Sequence, residues 1–155
     1  MLKIGLLGAG RIAGVHAAAI SQNPQSKLVA ISDFYPEVAD KLARQFDAVM
    51  RTNEDIIADP EIDAVLIATP TDTHSDLIEA ATAAGKAVLC EKPVDLSLER
   101  ARACLQNSAP ASVLTINPDN ESTAYALGKF DVPAPSLQAA CTVNPLLAAG
   151  AGMGS

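Results

Sequence analysis

Apolar residues in this chain come in short runs separated by stretches of helical period. The first run starts at Leu2 and meets closely spaced glycines; by Gly14 the chain has become alanine-rich. That order predicts strand, tight turn and helix, the helix over residues 11–21 with Ile12, Val15, Ala19 and Ile20 on one apolar side and Pro24 ending it. Residues 28–33 form a second buried strand that finishes on Asp33. Pro36 opens a second amphipathic helix through Val38, Ala39, Leu42, Ala43 and Phe46. A short third strand fits residues 48–50. A brief helix fits 53–58, capped by Thr52 or Asn53 and stopped by Pro60.

Residues 63–69 make the most continuously apolar run in the chain, the pattern of a parallel strand covered on both faces. Polar residues 69–74 come next, then a helix to about residue 84 with Gly85 just beyond its end. A fifth strand is expected at 87–90, a helix at 98–106 with Ser97 as N-cap, and a sixth strand at 112–117. Strand and helix alternate with connections too long for hairpins. The fold class is therefore α/β, a doubly wound parallel sheet of the Rossmann type with an irregular C-terminal tail. Residues 1–117 form this domain in this reading, and 118–155 an Ala/Pro-rich tail of low charge.

Three polar strand ends should then gather on one edge, where open α/β sheets bind ligands. Gly8, Gly10 and Ala13 fit G-x-G-x-x-G/A, the turn that seats a dinucleotide pyrophosphate on a helix N-terminus. Gly8 allows the reversal, Gly10 lets phosphate approach the backbone, and Ala13 lets helix and strand lie close. Asp33 comes about 20 residues after this turn, where a carboxylate accepts hydrogen bonds from the adenosine ribose and repels the 2′-phosphate of NADP. NAD is thus favoured over NADP. His16, inside the first helix, is read as structural, packed near the sheet or making one satisfied hydrogen bond.

Composition narrows the partners. A length of 155 residues supports one domain with a real core, burying roughly 70% of the unfolded chain's surface. A net charge of −7 and an aromatic content of 3% without Trp argue against nucleic acid and anionic membrane. No apolar run approaches a membrane span, and with Met1 leading straight into the first strand no secretory leader is expected. Cys90, Cys104 and Cys141 are odd in number and widely spaced. Neither a disulfide framework nor a metal site is expected, and the cytoplasm is the expected compartment.

The ordered set of motifs resembles the N-terminal half of the glucose–fructose oxidoreductase, inositol dehydrogenase and rhizopine-catabolism (Gfo/Idh/MocA) family. The residues that carry the resemblance are Gly8-Ala9-Gly10-Arg11-Ile12-Ala13-Gly14, Asp33, the run from Asp63 through Thr69-Pro70-Thr71 with His74 beyond it, and Gly85 through Glu91-Lys92-Pro93. The family consists of NAD(P)-dependent oxidoreductases acting largely on sugars, polyols and their derivatives. The resemblance implies that Gly8, Ala9, Gly10, Arg11 and Ile12 hold the pyrophosphate and Asp33 the adenosine ribose. It implies that Thr69, Pro70, Thr71 and His74 line the nicotinamide side. Glu91 and Lys92 would sit by the nicotinamide ribose, with Lys92 reaching the reacting hydroxyl as the catalytic residue. An ammonium there stabilises alkoxide character and can join a proton relay. Cys90, next to this site, is read as buried strand filling rather than a nucleophile.

Past residue 106 the pattern changes. Twenty-five of the 29 charged residues lie before position 107, and Pro110, Pro118, Pro133, Pro135 and Pro145 interrupt the remaining stretch. The family continues into a second domain that supplies substrate contacts, the Asp and His that move the proton, and usually an oligomer interface; no trace of it is legible here. A truncated or frame-shifted product, a divergent tail and a deliberately excised domain each account for this. Two functions stay open: a dehydrogenase acting on a small sugar, polyol or cyclitol, and a dinucleotide-binding module inactive alone, with a partner chain or oligomer supplying the rest.

Overall fold

The structure is a computed structural model that describes residues 1–108, 113–116 and 125–127. Strands β1 (Leu2–Leu7), β2 (Ser26–Ser32), β3 (Val49–Met50), β4 (Ala64–Ile67), β5 (Ala87–Glu91), β6 (Val113–Ile116) and β7 (Tyr125–Leu127) form one sheet in the order β3-β2-β1-β4-β5-β6-β7. Every pairing from β3 to β6 is parallel, and β7 joins β6 antiparallel. The strand order reverses between β1 and β4, the topological switch point of a doubly wound sheet.

Helices α1 (Arg11–Gln22), α2 (Pro36–Gln45), α3 (Asn53–Ala58), α4 (His74–Ala83) and α5 (Leu98–Asn107) cover both faces. Of the alternative caps for α3, Thr52 is the one used: its side chain accepts from the Asp55 amide. Ser97 caps α5 by accepting from the Arg100 amide, and Gly85 lies just past α4 at φ +76°. Alternate residues along each strand feed opposite cores. Ile4, Leu6, Leu66 and Leu89 meet Ala13, Ala17, Ile20, Ala39 and Ala43 of α1 and α2. On the other face Val65, Ile67, Val88 and Cys90 meet Ile56 of α3, Ile78 and Ala81 of α4, and Cys104 of α5. All four residues of β4 are buried, as its continuous apolar run predicts.

The inward face of α1 holds Ile20 and, packed against the core, Ala19, as expected, but differs at Ile12 and Val15. Ala13, His16, Ala17 and Ile20 are buried, whereas Ile12 is 41% and Val15 60% exposed. Small side chains face the sheet because the helix runs close over β1 and β2, and larger aliphatics at these positions would hold it away. Val38, expected on the apolar side of α2, is likewise exposed, and Ala39 and Ala43 take the core positions. Within the stretch read as irregular, Tyr125–Leu127 is a described strand. The rest of that stretch, Cys141 included, lies outside the described residues.

Candidate functional site

Parallel register brings the motif residues to one edge. Leu7 pairs with Ser32 and with Ile67, and Ile67 with Cys90, so the chain leaves β1, β2, β4 and β5 at one level. Gly8, Asp33, Thr69 and Lys92 each come within two residues of those strand ends. Gly8 has φ +100°, and a Cβ there would lie 2.5 Å from the Ala68 carbonyl oxygen. Its amide donates to Ser32 O at 2.8 Å, and the Ala68 amide donates to Leu7 O at 2.8 Å, so the turn is held from both sides.

Gly10 has a different reason to be glycine. Its φ of −72° suits any residue, and nothing lies within 4 Å of the Cβ it lacks. Neither backbone geometry nor protein packing demands a small residue there, which leaves open space in front of α1. Gly10 also N-caps α1 without a side-chain cap, and no acidic residue occupies the first turn. The unpaired N–H groups and positive end of the helix dipole therefore meet an open surface, the chemistry an anionic pyrophosphate requires. Arg11 and Ile12 are exposed at this end, while Ala9 is buried.

Asp33 is bound into the turn. Its Oδ2 accepts from the Ala9 amide at 2.7 Å and its Oδ1 from the Tyr35 amide at 2.9 Å. The carboxylate is thereby fixed beside the glycine turn, half-buried, and each oxygen keeps lone pairs for further donors such as ribose hydroxyls.

Beyond β4, Thr71–Thr73 form a 3-10 turn. The Thr73 hydroxyl donates to Pro70 O at 2.7 Å and sits 2.7 Å from the Thr69 hydroxyl, closing the loop on itself. His74 opens α4 but is only 1% exposed. Its Nδ1 lies 2.8 Å from Pro93 O and its Nε2 2.8 Å from Thr69 O, so the ring joins the loop after β4 to the segment after β5. A neutral ring donates to one of these carbonyls, a protonated ring to both.

Glu91 and Lys92 face different surroundings. Lys92 is exposed, and the Lys92–Pro93 peptide is cis. Glu91 is buried, its Oε1 2.6 Å from His16 Nε2 on α1. The expected single hydrogen bond of His16 is thus present, with a partner 75 positions away. The alternation of β5 carries the signal for it: Glu91 lies two residues past Leu89 and so shares the face that α1 covers. Burial pushes the Cys90 thiol up to about 12, as a strand-filling cysteine rather than a nucleophile requires.

Sequence reasoning gives Lys86 no role beyond its place in a motif. It is 5% exposed at the start of β5, and its Nζ donates to Ile62 O at 2.7 Å and to Asp59 O. Among the described residues no group of three or more His, Cys, Asp or Glu could hold a metal ion. No helix among them is long and apolar enough to cross a membrane.

Comparison with known proteins agrees with this geometry. Residues 2–117 match the model of the Gfo/Idh/MocA oxidoreductase family, NAD-binding Rossmann fold. An inositol 2-dehydrogenase of Rhizobium meliloti (strain 1021) is 53% identical over 105 residues, covering 68% of this chain and 32% of the relative. A myo-inositol dehydrogenase from Corynebacterium glutamicum superposes with a TM-score of 0.70 at 42% identity, over 74% of this chain and 35% of that one. A scyllo-inositol dehydrogenase from Lactobacillus casei, solved with NAD(H) and scyllo-inositol, gives 0.67 at 30% identity, over 74% and 36%. The chain spans about a third of the relatives it matches. With the switch-point turn, the bound Asp33 and the Glu-Lys-Pro segment all in place, the chain belongs to the Gfo/Idh/MocA oxidoreductase family, and residues 2–117 are its NAD-binding Rossmann-fold part.

Proposed function

We propose that this chain binds NAD across the β1/β4 edge, as the cofactor half of an oxidoreductase that moves hydride between nicotinamide and a small sugar, polyol or cyclitol such as myo-inositol. The observation that carries the reading is Gly10: an uncapped helix N-terminus with open space before it, beside a carboxylate hydrogen-bonded to the same turn. Gly8, Ala9, Gly10, Arg11 and Ile12 surround the pyrophosphate, and Asp33 accepts the ribose hydroxyls. Thr69, Pro70, Thr71 and His74 shape the nicotinamide side, His74 from beneath. When bound, nicotinamide supplies the hydride acceptor. Lys92 stabilises negative charge on the substrate oxygen and holds a proton near it, and Glu91 sets the backbone from which Lys92 projects.

A second reading rests on the coverage of about a third of each relative. On it, the chain is a binding module whose substrate pocket and proton acceptor come from a further domain, a partner chain or an oligomer. Two thiols buried without a disulfide suit the reducing cytoplasm. Titration with NAD, NADH and NADP, then hydride-transfer assays over a polyol panel, separates the readings. Binding with turnover supports the enzyme, and binding alone the module. The absence of NAD binding refutes both, and turnover that survives Lys92→Ala refutes the role of Lys92.

A further inference from the structure

Lys92 lies between two residues that are each held by a histidine, and these are the chain's only two histidines. On one face of the sheet, His16 of α1 reaches Glu91 through Nε2 at 2.6 Å. On the other, His74 of α4 reaches the Pro93 carbonyl through Nδ1 at 2.8 Å. Both rings are buried, at 6% and 1% exposure, while Lys92 between them is exposed. A buried carboxylate needs a donor, since without one the site bears the full desolvation penalty. Two hydrogen bonds from buried rings, directed at the residues on either side of Lys92, restrict the backbone that carries it.

We propose that His16 and His74 are positioning residues for the Glu91–Pro93 segment, together setting where Lys92 stands relative to the nicotinamide half of the cofactor. This rests on the reading of the edge as an NAD site. His16 further connects that segment to α1, whose N-terminus faces the pyrophosphate, so the two halves of the site share one rigid support. His74 does the same for the loop after β4, because its Nε2 lies 2.8 Å from Thr69 O.

The test uses the whole chain and two ligands. NADH probes the entire site; ADP carries adenosine and pyrophosphate but nothing of the nicotinamide riboside. An Asn side-chain amide overlies the imidazole Nδ1 position, and a Gln amide the Nε2 position. His16→Gln therefore keeps the reach to Glu91 and His16→Asn loses it. His74→Asn keeps the reach to Pro93 and His74→Gln loses it. We expect a crossed pattern. His16→Asn and His74→Gln should weaken NADH by about tenfold, the equivalent of one well-made hydrogen bond, with ADP affinity unchanged. His16→Gln should stay close to wild type, and His74→Asn, which keeps the reach to Pro93 and gives up that to Thr69, should lose less NADH affinity than His74→Gln. Loss of NADH and ADP affinity in parallel, unchanged NADH affinity, or equal behaviour of the Asn and Gln variants at each site overturns the proposal. A wild-type chain that binds neither ligand overturns the NAD site itself. Thermal melts confirm that each variant compared is folded, and Leu at the same position replaces a contact-losing variant that fails to fold. Where a contact-keeping variant fails to fold, the Leu variant is compared with wild type, with the same loss of NADH affinity at unchanged ADP affinity expected and equal NADH affinity overturning the proposal.

Discussion

Replacing Asp33 by Asn keeps the shape of the side chain and removes its charge. In the native turn both carboxylate oxygens accept backbone amides, Oδ2 from Ala9 and Oδ1 from Tyr35. Asn offers one oxygen, so its NH2 group must face one of these two N–H donors. That amide loses its acceptor, at a cost of about 1 kcal/mol in folding because the site is half-open to water. In the proposed complex the ribose hydroxyls would lose a charged acceptor as well. A hydrogen bond to a charged group contributes about 1.5–3 kcal/mol, which corresponds to a rise of about 10- to 150-fold in the NAD dissociation constant. Removing the negative charge also lifts repulsion of the 2′-phosphate, so NADP should gain on NAD. The chain has no Trp, which allows NADH emission to be followed without energy transfer from indole, and calorimetry gives NAD and NADP. NAD affinity within twofold of wild type, or an unchanged NADP-to-NAD ratio, would show that Asp33 does not read the ribose.

The geometry sets three further outcomes. Gly8→Ala places a Cβ 2.5 Å from the Ala68 carbonyl at φ +100° and should cost about 2 kcal/mol or more in urea unfolding; a loss below about 0.5 kcal/mol would contradict the close approach. Lys86→Met leaves the Ile62 and Asp59 carbonyls without their buried donor and should destabilise by about 1–3 kcal/mol, whereas equal or greater stability would show that water or relaxation satisfies them. Hydrogen bonding from Arg100 holds the Glu79 carboxyl below its usual range, so the unfolded chain binds the proton more readily. The resulting stability is present above the ordinary carboxylate pKa and is lost as pH falls through the lower folded value. Melts of Glu79→Gln between about pH 5 and 3 should accordingly show a shallower acid slope than wild type.

The alternation of strand and helix was legible because strands buried on both faces hold few polar residues, and β4 and residues 87–90 of β5 read as unbroken apolar runs. Glycine spacing located the turn, since Gly8 sits where a Cβ has no room. The inward face of α1 was legible only in part, at Ala19 and Ile20. Ile12 and Val15 look like core by hydrophobicity, yet close approach to the sheet selects Ala13 and Ala17 instead. His16 belongs to that inward face only because Glu91 arrives from 75 positions away, a contact no local period encodes. Glu91 itself, grouped with Lys92 by motif, turns inward while Lys92 faces solvent. His74 is similarly sunk beneath the loop it supports. A motif names the segment that forms a site; which of its side chains reach the surface depends on the sheet face each one inherits.

Burial of β4 on both faces bears on strand pairing. In a sheet with one wet face, a slip of one residue exposes the apolar side and is penalised at once. Between β1 and β4 such a slip would exchange one buried apolar face for another, so hydrophobicity distinguishes registers weakly. The polar ends must then set the alignment. At one end Lys3 and Asp63 form a reciprocal pair: the Asp63 amide donates to Lys3 O at 3.0 Å, and the Lys3 amide to Asp63 Oδ2 at 2.8 Å. At the other, the Ala68 amide reaches Leu7 O beside the glycine turn. The edge that would receive the cofactor is thus also one of the two stops that keep the central strands from sliding.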